Sequence, residues 1–560
     1  MKKYINKLCI SIFAMGVLLV SSCESDYLDT IPTDAVGDGT AVATVENAYM
    51  TLNGIAKIMS TQHAYYGQGF AGENAIIHLY ENYPSQNYNY NAYASGWAPI
   101  HNQTFHMDTH RIYNNYAWYY YYQIISNANV LINKIDEAEG SEADKKFIKA
   151  SALTFRAYSF QKLVQYYCYR WIDSSNGSAQ GLVLRLDDST GDMAPSTMAE
   201  TYAQIYKDCE DAIALFKEAD IDRESGSCWI ANENVAHAVY ARAALNKLDY
   251  AKAASEANLA KAGYPLMDSK AYKAGFCNPT SEWIFGSYGS ADENNWYWSY
   301  GTQFSCNGYY AGNTANGGGS IGRELINRIP DGDVRKEIFL TESGLGIDAS
   351  DATKVEQTFG TIGLKQSGNK WVIMDQDAYN KAYAYVKAHQ VEGLPPAYVN
   401  GESAKVPGPN NYHIGDHLKF WVFDAPGVGY LPFIRTSEMY LIEAEAYCKL
   451  GQADKAKKAL EDLNKVRNPQ YSASGLSGDA LWNEIMDYRE VELWGEGFAW
   501  SDYKRWNRPV VRHSFAQGGN AHTAVAKTIP ADFGNKWTWA VPLAETDYNK
   551  GFNMGPEAEE

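Results

Sequence analysis

The chain has 560 residues, 46% hydrophobic and 20% charged, which excludes a disordered chain and is long enough to bury a large core. Its formal net charge of −18 opposes binding to nucleic-acid phosphates, and none of its eight cysteines forms the CxxC pair of a zinc ribbon. Counts of 43 Tyr and 15 Trp against only 19 Phe point to a wet binding surface, because Tyr and Trp carry an apolar face and a polar tip.

Taken in chain order, Lys2, Lys3 and Lys7 make a positive leader, and Leu8 to Val20 is an apolar run too short for a permanent membrane span. Leu19-Val20-Ser21-Ser22-Cys23 resembles a bacterial lipobox. Residues 1–22 are therefore expected to leave as a signal peptide, with Cys23 as a lipidated amino terminus. Thr44 to Met59 reads as the first helix, and Ser60 to Tyr113 as a loop-like stretch without a sustained period. The next helix, Asn115 to Ile135, carries Trp118, Tyr122, Ile125, Asn129 and Ile132 on one stripe, which puts Tyr122 in the core. Ser141 to Tyr169 is its partner. Thr197 to Glu218 follows, with Ser196 or Thr197 as cap and Glu200 available for a capping box. Asn232 to Leu248 and Tyr250 to Lys261 form a tetratricopeptide-like pair.

From Gly263 to Tyr430 Gly, Asn, Tyr and Ser dominate, with β-like runs at Glu282 to Gly286 and Lys419 to Phe423. Gly317 to Gly322 matches GxGxxG and, around Ser320, GxSxG. The lead-in is Gly/Asn-rich rather than an apolar strand, so the run reads as a flexible loop with neither chemistry. Leu431 to Arg467 returns to a helical hairpin. Pro432 precedes a helix with Ile434, Met439, Leu441, Ile442, Ala444 and Ala446 on its apolar stripe, Gly451 ends it, and Ala456, Leu460, Leu463 and Val466 continue the period. Trp537 to Pro542 reads as a last extended segment. Cys168, Cys209 and Cys448 sit in helical patterns and read as buried thiols.

Arg489, Glu490, Glu492, Leu493, Glu496, Gly497, Trp500, Asp502, Arg505 and Trp506 resemble the carboxy-terminal signature of the SusD/RagB family, outer-membrane glycan-binding lipoproteins of Bacteroidetes. Ala499 stands where that family usually has Arg, and Ser501 where it has a bulky residue. The stretch FRAYSFQKLVQYY resembles the family's second helix. Asp331 to Arg335 resembles a family turn, read here as a surface turn, and Glu24 and Asp26 after Cys23 resemble its surface-export signal. The resemblance implies a mostly α fold, a SusD-like superhelix of tetratricopeptide-like helix pairs. Its scaffold spans about 44–262 and 431–506, and a loop-rich region with short β segments spans about 263–430. It further implies a lipid-anchored protein facing the cell exterior. Such a protein captures oligosaccharide or polysaccharide without catalysis and delivers it to a SusC-like TonB-dependent transporter; no cofactor is implied, and a structural calcium ion is compatible.

Pyranose recognition needs flat apolar rings beside amides and acids. Two loop-like stretches offer both, and the family takes its ligand contacts from these regions. The first supplies Tyr83, Asn89, Tyr90 and Trp97, the second Trp296, Tyr297, Trp298, Tyr300 and Tyr309. A glycoside hydrolase, which needs two carboxylates roughly 5–10 Å apart, is the enzyme alternative, and a RagB-like peptide-import component is the other. Glu490, Glu492 and Glu496 are flanked by Arg489, Lys504 and Arg505, which favours a structural ion network over catalysis. His101, His106 and His110 read as polar loop histidines rather than a zinc site.

Overall fold

The computed structural model describes residues 41–554 apart from 91–97, 290–318, 344–363, 374–410, 421–429 and the positions 64, 68, 188, 190, 340, 368, 369, 413, 414, 416 and 418. The leader and Cys23 lie outside the described residues, among which no helix is long and apolar enough to cross a membrane.

Helices dominate, and most of the long ones begin at a side chain that accepts from a first-turn amide, worth about 1 kcal/mol each. Thr44 caps α1 (Val45–Ile58), and Ser141 caps α3 (Glu142–Tyr167). Thr197 and Glu200 form a reciprocal capping box on α4 (Met198–Ala219). Asn232 caps α5 (Glu233–Asn246), and Asp249 caps α6 (Tyr250–Ala260). Between α1 and α3 runs α2 (Ile112–Lys134). Successive helices from α2 to α6 pack on one another, and the buried alanines of α5 and α6, Ala241 and Ala257 among them, let the two backbones approach. The chain returns with α7 (Thr436–Lys449), α8 (Ala453–Arg467), α9 (Gly478–Glu492) and α10 (Ala499–Trp506). α7 packs directly on α6, so the tetratricopeptide-like run continues across the long insertion. Gly451, at φ +72°, ends α7 in the left-handed conformation that glycine adopts without strain.

Short antiparallel strand pairs join the insertion to the scaffold. β1 (Tyr88–Tyr90) pairs with β3 (Gly319–Ile321), and β2 (Trp283–Gly286) with β4 (Pro432–Arg435). Several sequence expectations change here. Ile434 lies in β4, opposite Phe285, and not on the helical stripe. Lys419 and Phe420 form a bend, and the rest of the β-like run to Phe423 lies outside the described residues. Gly72–Asn82, inside the stretch read as loop, is helical and turns π-helical at Ile76; every residue in it is buried, so no polar face marks its period. The Gly317 to Gly322 run contains β3, buried throughout, rather than a flexible loop. Trp537 closes a kinked turn begun at Phe533. Along α2, Trp118, Ile125 and Asn129 are buried, while Tyr122 is partly buried with its hydroxyl donating to Val183 O at 2.8 Å. Cys168, Cys209, Cys228 and Cys277 are buried and unpaired, whereas Cys448 is half-exposed.

One buried cluster fastens the insertion to the C-terminal helices. Glu492, at the end of α9, meets Arg467 (3.1 Å), Arg435 (3.3 Å) and Arg335 (3.4 Å). Glu282, beside β2, meets Arg435 at 2.6 Å and Arg467 at 2.9 Å. Glu496 accepts from Arg435 Nε (2.7 Å) and Lys419 Nζ (2.6 Å), and Asp333 pairs with Arg335 at 2.6 Å. The four cations and four anions balance, and all eight are buried. Burial alone would raise the Glu492 carboxyl, but the guanidiniums of Arg467, Arg435 and Arg335 outweigh it and hold it well below the usual carboxylate range. The turn at Asp331 to Arg335 is therefore no simple surface turn, since Asp333 and Arg335 carry part of the cluster. Glu492→Gln leaves three buried guanidiniums short of counter-charge and is expected to cost about 3–5 kcal/mol of unfolding free energy. Urea denaturation at neutral pH checks this, and a loss below about 1 kcal/mol, the scale of an exposed pair, contradicts it.

Candidate functional site

The β1–β3 ribbon joins the first nominated stretch to the chain that follows the second. Tyr88 pairs with Ile321, Asn89 with Ser320 and Tyr90 with Gly319. Tyr90 is the last described residue before 91–97, and Gly319 the first after 290–318. Antiparallel pairing thus sets Tyr90, in the first stretch, against Gly319, nine residues past Tyr310 of the second, although some 230 residues separate Asn89 from Ser320.

The ribbon is braced from below. The buried helical segment Gly72–Asn82 leads into Tyr83–Ser85, whose carbonyls are capped by Arg512: Nε donates to Ser85 O and Nη2 to Pro84 O, both at 2.8 Å. Burial without a nearby carboxylate pushes that guanidinium down to about 9. Asn87 O accepts from Trp494 Nε1 at 2.7 Å, and its side-chain amide donates to Glu490. Trp494 also stacks on Tyr88 at 5.2 Å between ring centres. Asn520 ties both strands: its Oδ1 accepts from Asn89 Nδ2 (2.7 Å) and from the Arg323 amide (3.0 Å), and its Nδ2 donates to Ile321 O (2.9 Å). Gly319 and Gly322 of the GGGSIG run are needed for this packing. A Cβ on Gly319 would sit 2.0 Å from the Tyr88 ring, and one on Gly322 would sit 2.1 Å from Asn87 Oδ1. Ser320 is buried and donates to Asn89 O at 3.2 Å, so it is a strand residue rather than an exposed nucleophile.

Among the nominated ligand residues, Tyr83 is buried and stacked on His101 at 5.4 Å, and Asn89 is buried on Asn520. In this structure both serve the packing of the ribbon. Tyr90 occupies the end of β1. Trp97, Trp296, Tyr297, Trp298, Tyr300 and Tyr309 lie outside the described residues. Sequence reasoning missed Trp494, Asn520 and Arg512 as supports. Of these only Trp494 had a signal, its place inside the C-terminal signature.

Glu490, Glu492 and Glu496 are engaged, but not by the flanking cations that sequence spacing suggested. Arg489 and Arg505 both pair with Asp502, and Arg505 also with Glu445. Lys504 Nζ donates to the carbonyls of Gln165 and Cys168. Glu492 and Glu496 are instead neutralised by Arg335, Arg435, Arg467 and Lys419. Among the described residues Glu490 makes no ion pair: Tyr503 donates to it at 2.8 Å, Asn87 donates as well, and burial pushes its carboxyl up to about 7. Ser501, in place of a bulky residue, brings its amide to Glu81 at 3.0 Å and links α10 to the buried helical segment. His106 is buried against Gly534 O at 2.8 Å and His101 against Tyr83, so neither is a polar loop histidine, while His110 is exposed. Among the described residues no group of His, Cys, Asp and Glu is arranged to hold a metal ion.

Fold and ribbon together define a tetratricopeptide-like helical scaffold with an insertion docked on it. A family model described as starch-binding and associating with the outer membrane matches residues 46–245, and the SusD family model matches 427–554. The chain belongs to the SusD/RagB family. Among solved structures it is similar to a SusD-like carbohydrate binding protein from Bacteroides vulgatus, at 22% identity and TM-score 0.66 over 92% of this chain and 99% of that one. A putative sugar binding protein from the same organism matches at 22% identity and TM-score 0.63, covering 92% and 98%. A SusD superfamily protein from Bacteroides thetaiotaomicron matches at 20% identity and TM-score 0.66, covering 92% and 100%. No curated protein matches the chain.

Two predictions follow from the ribbon's supports. Gly319→Val drives a side chain into Tyr88 and is expected to destabilise by about 1–3 kcal/mol, with Tyr88→Ala partly relieving it in a double-mutant cycle. Additive losses in that cycle contradict the contact. The Glu490 carboxyl is raised in the folded chain, so its contribution to stability is full below its unfolded value and declines as pH rises to about 7. Wild type is therefore expected to lose on the order of 3 kcal/mol from this group between about pH 4.5 and 7. Glu490→Gln flattens that slope in denaturation series across pH, and an unchanged slope contradicts the assignment.

Proposed function

We propose that the chain is a cell-surface glycan-binding lipoprotein. It captures oligosaccharide or polysaccharide and passes it to a SusC-like TonB-dependent transporter, without cleaving it. The observation that carries the reading is the β1–β3 register, which sets Tyr90, in the first aromatic, amide-rich stretch, opposite Gly319, the first described residue after the second. Trp97, Trp296 and Trp298 are the proposed stacking rings, with Tyr297, Tyr300 and Tyr309 beside them. Family membership, with its outer-membrane association, supports the setting, as do the carbohydrate- and sugar-binding descriptions of similar structures. Anchoring through Cys23 holds the protein at the membrane, and the import step is reversible binding coupled to transporter opening.

The absence of catalysis is supported by the state of the signature acids. A glycosidase needs two carboxylates open to substrate. Glu492 and Glu496 are buried in ion pairs, and Glu490 is buried under Tyr503 and Asn87.

Affinity electrophoresis of the chain from Glu24 onward, across plant, host and microbial polysaccharides, tests the proposal, with a reducing-sugar assay on each. Retardation by a glycan without sugar release, lost in Trp97→Ala or Trp296→Ala, is the expected outcome. Sugar release overturns the non-catalytic reading. Retardation by no glycan, together with peptide recovered on the co-purified transporter complex, overturns glycan capture.

A further inference from the structure

A cleft of about 750 Å³ opens beside α1, between Tyr49–Lys57 and the turn from Asp222 to Ile230. That volume is ordinary for a small-ligand site. Its flat surface is Trp229, which is held from two sides. The indole Nε1 donates to Asn53 Oδ1 at 3.2 Å, and the ring meets Tyr288 edge-on at 5.3 Å and 85°. Trp229 is only half-buried, so part of the ring stays open to the cleft. Met50, 60% exposed, extends the apolar side.

The wall behind the indole is rigid. Arg223 Nη1 donates to Ile230 O at 2.7 Å and Cys228 O at 3.3 Å, and its Nη2 to Tyr264 Oη at 2.8 Å and Ile284 O at 2.9 Å. A site clamped in this way loses little freedom when a ligand arrives. The charged lining is Lys57 and Arg223 against Asp222 and Glu224, two of each sign. The balance favours neither an anionic nor a cationic ligand, yet donors and acceptors stand beside a flat apolar ring. That combination matches the hydroxyls and C–H face of a neutral sugar.

We propose that this cleft is a second carbohydrate subsite, taking one neutral pyranose unit on Trp229 and built independently of the β1–β3 ribbon. The inference rests on the glycan-binding reading and deepens it. Two weak sites on one rigid body engage a single polymer with an effective local concentration, so long glycans are retained far better than short ones.

Fluorine NMR of the whole mature chain labelled with fluorotryptophan tests this. The Trp229 resonance is assigned by its loss in Trp229→Phe, and those of Trp97 and Trp296 in the same way. The probes are methyl glucopyranoside, methyl galactopyranoside and methyl mannopyranoside. A saturable shift of the Trp229 resonance with at least one probe, reduced severalfold in the exposed variant Asn53→Ala, is expected. If Trp97 or Trp296 responds while Trp229 is still with all three, the second subsite is overturned and glycan capture stands. If Trp229 responds alone, the subsite stands and the proposed ribbon rings are overturned. If no tryptophan responds, both readings are overturned.

Discussion

The eight-charge cluster around Glu492 is the constraint on which the rest of the molecule depends. Each ion has left water, at a cost that only near-ideal pairing and complete hydrogen bonding offset. The cluster meets that demand by drawing its members from Glu282 just before β2, the Asp331 to Arg335 turn, Lys419, β4, the ends of α8 and α9, and Glu496 in the turn after α9. Apart from the Asp333–Arg335 pair, no local segment supplies its own counter-charge, so the other six charges are compensated only when the insertion has docked on the helices. Apolar packing alone would tolerate small shifts of the insertion; paired guanidiniums and carboxylates do not, because their energies fall steeply with geometry.

The C-terminal signature acquires a physical meaning from this arrangement. Glu492 and Glu496 fasten the insertion, Glu490 and Trp494 hold Asn87 and Tyr88, and Asp502 gathers Arg489 and Arg505. A signature rich in acids and arginines thus fixes how the insertion and the β1–β3 ribbon sit on the helices. Ser501 fits the same logic, since its small side chain lets the buried Glu81 reach the first turn of α10.

Two buried charged groups under the ribbon make their hydrogen bonds to neutral partners. Arg512 spends its guanidinium on the carbonyls of Pro84 and Ser85, and Glu490 relies on a phenol and an amide. Groups held this way are expensive for the fold. Their common product is a fixed path for the chain from Asn82 to Tyr90, the approach to the first aromatic segment.

The helical scaffold was legible in the sequence because its information is local. Thr197 and Glu200, Asn232, and Gly451 at the end of α7 act through the backbone of their own turns, and the 3.6-residue period of α2 and α8 survives wherever one face meets water. The same locality made the SusD/RagB signature readable. The period was lost over Gly72–Asn82, which is buried on every side, and Gly317 to Gly322 looked like a loop because its glycines answer to Tyr88 and Asn87, far away in sequence. Which cations would meet Glu492 was equally beyond reach: its neighbours Arg489 and Arg505 pair with Asp502, while its partners arrive from residues 335, 435 and 467. Capping residues and periodic apolar faces are settled within a few residues of each other, so the sequence alone determined the helices and the family. The pairing of β1 with β3, and the buried charges beneath it, depend on contacts between distant segments, and those only the tertiary structure decided.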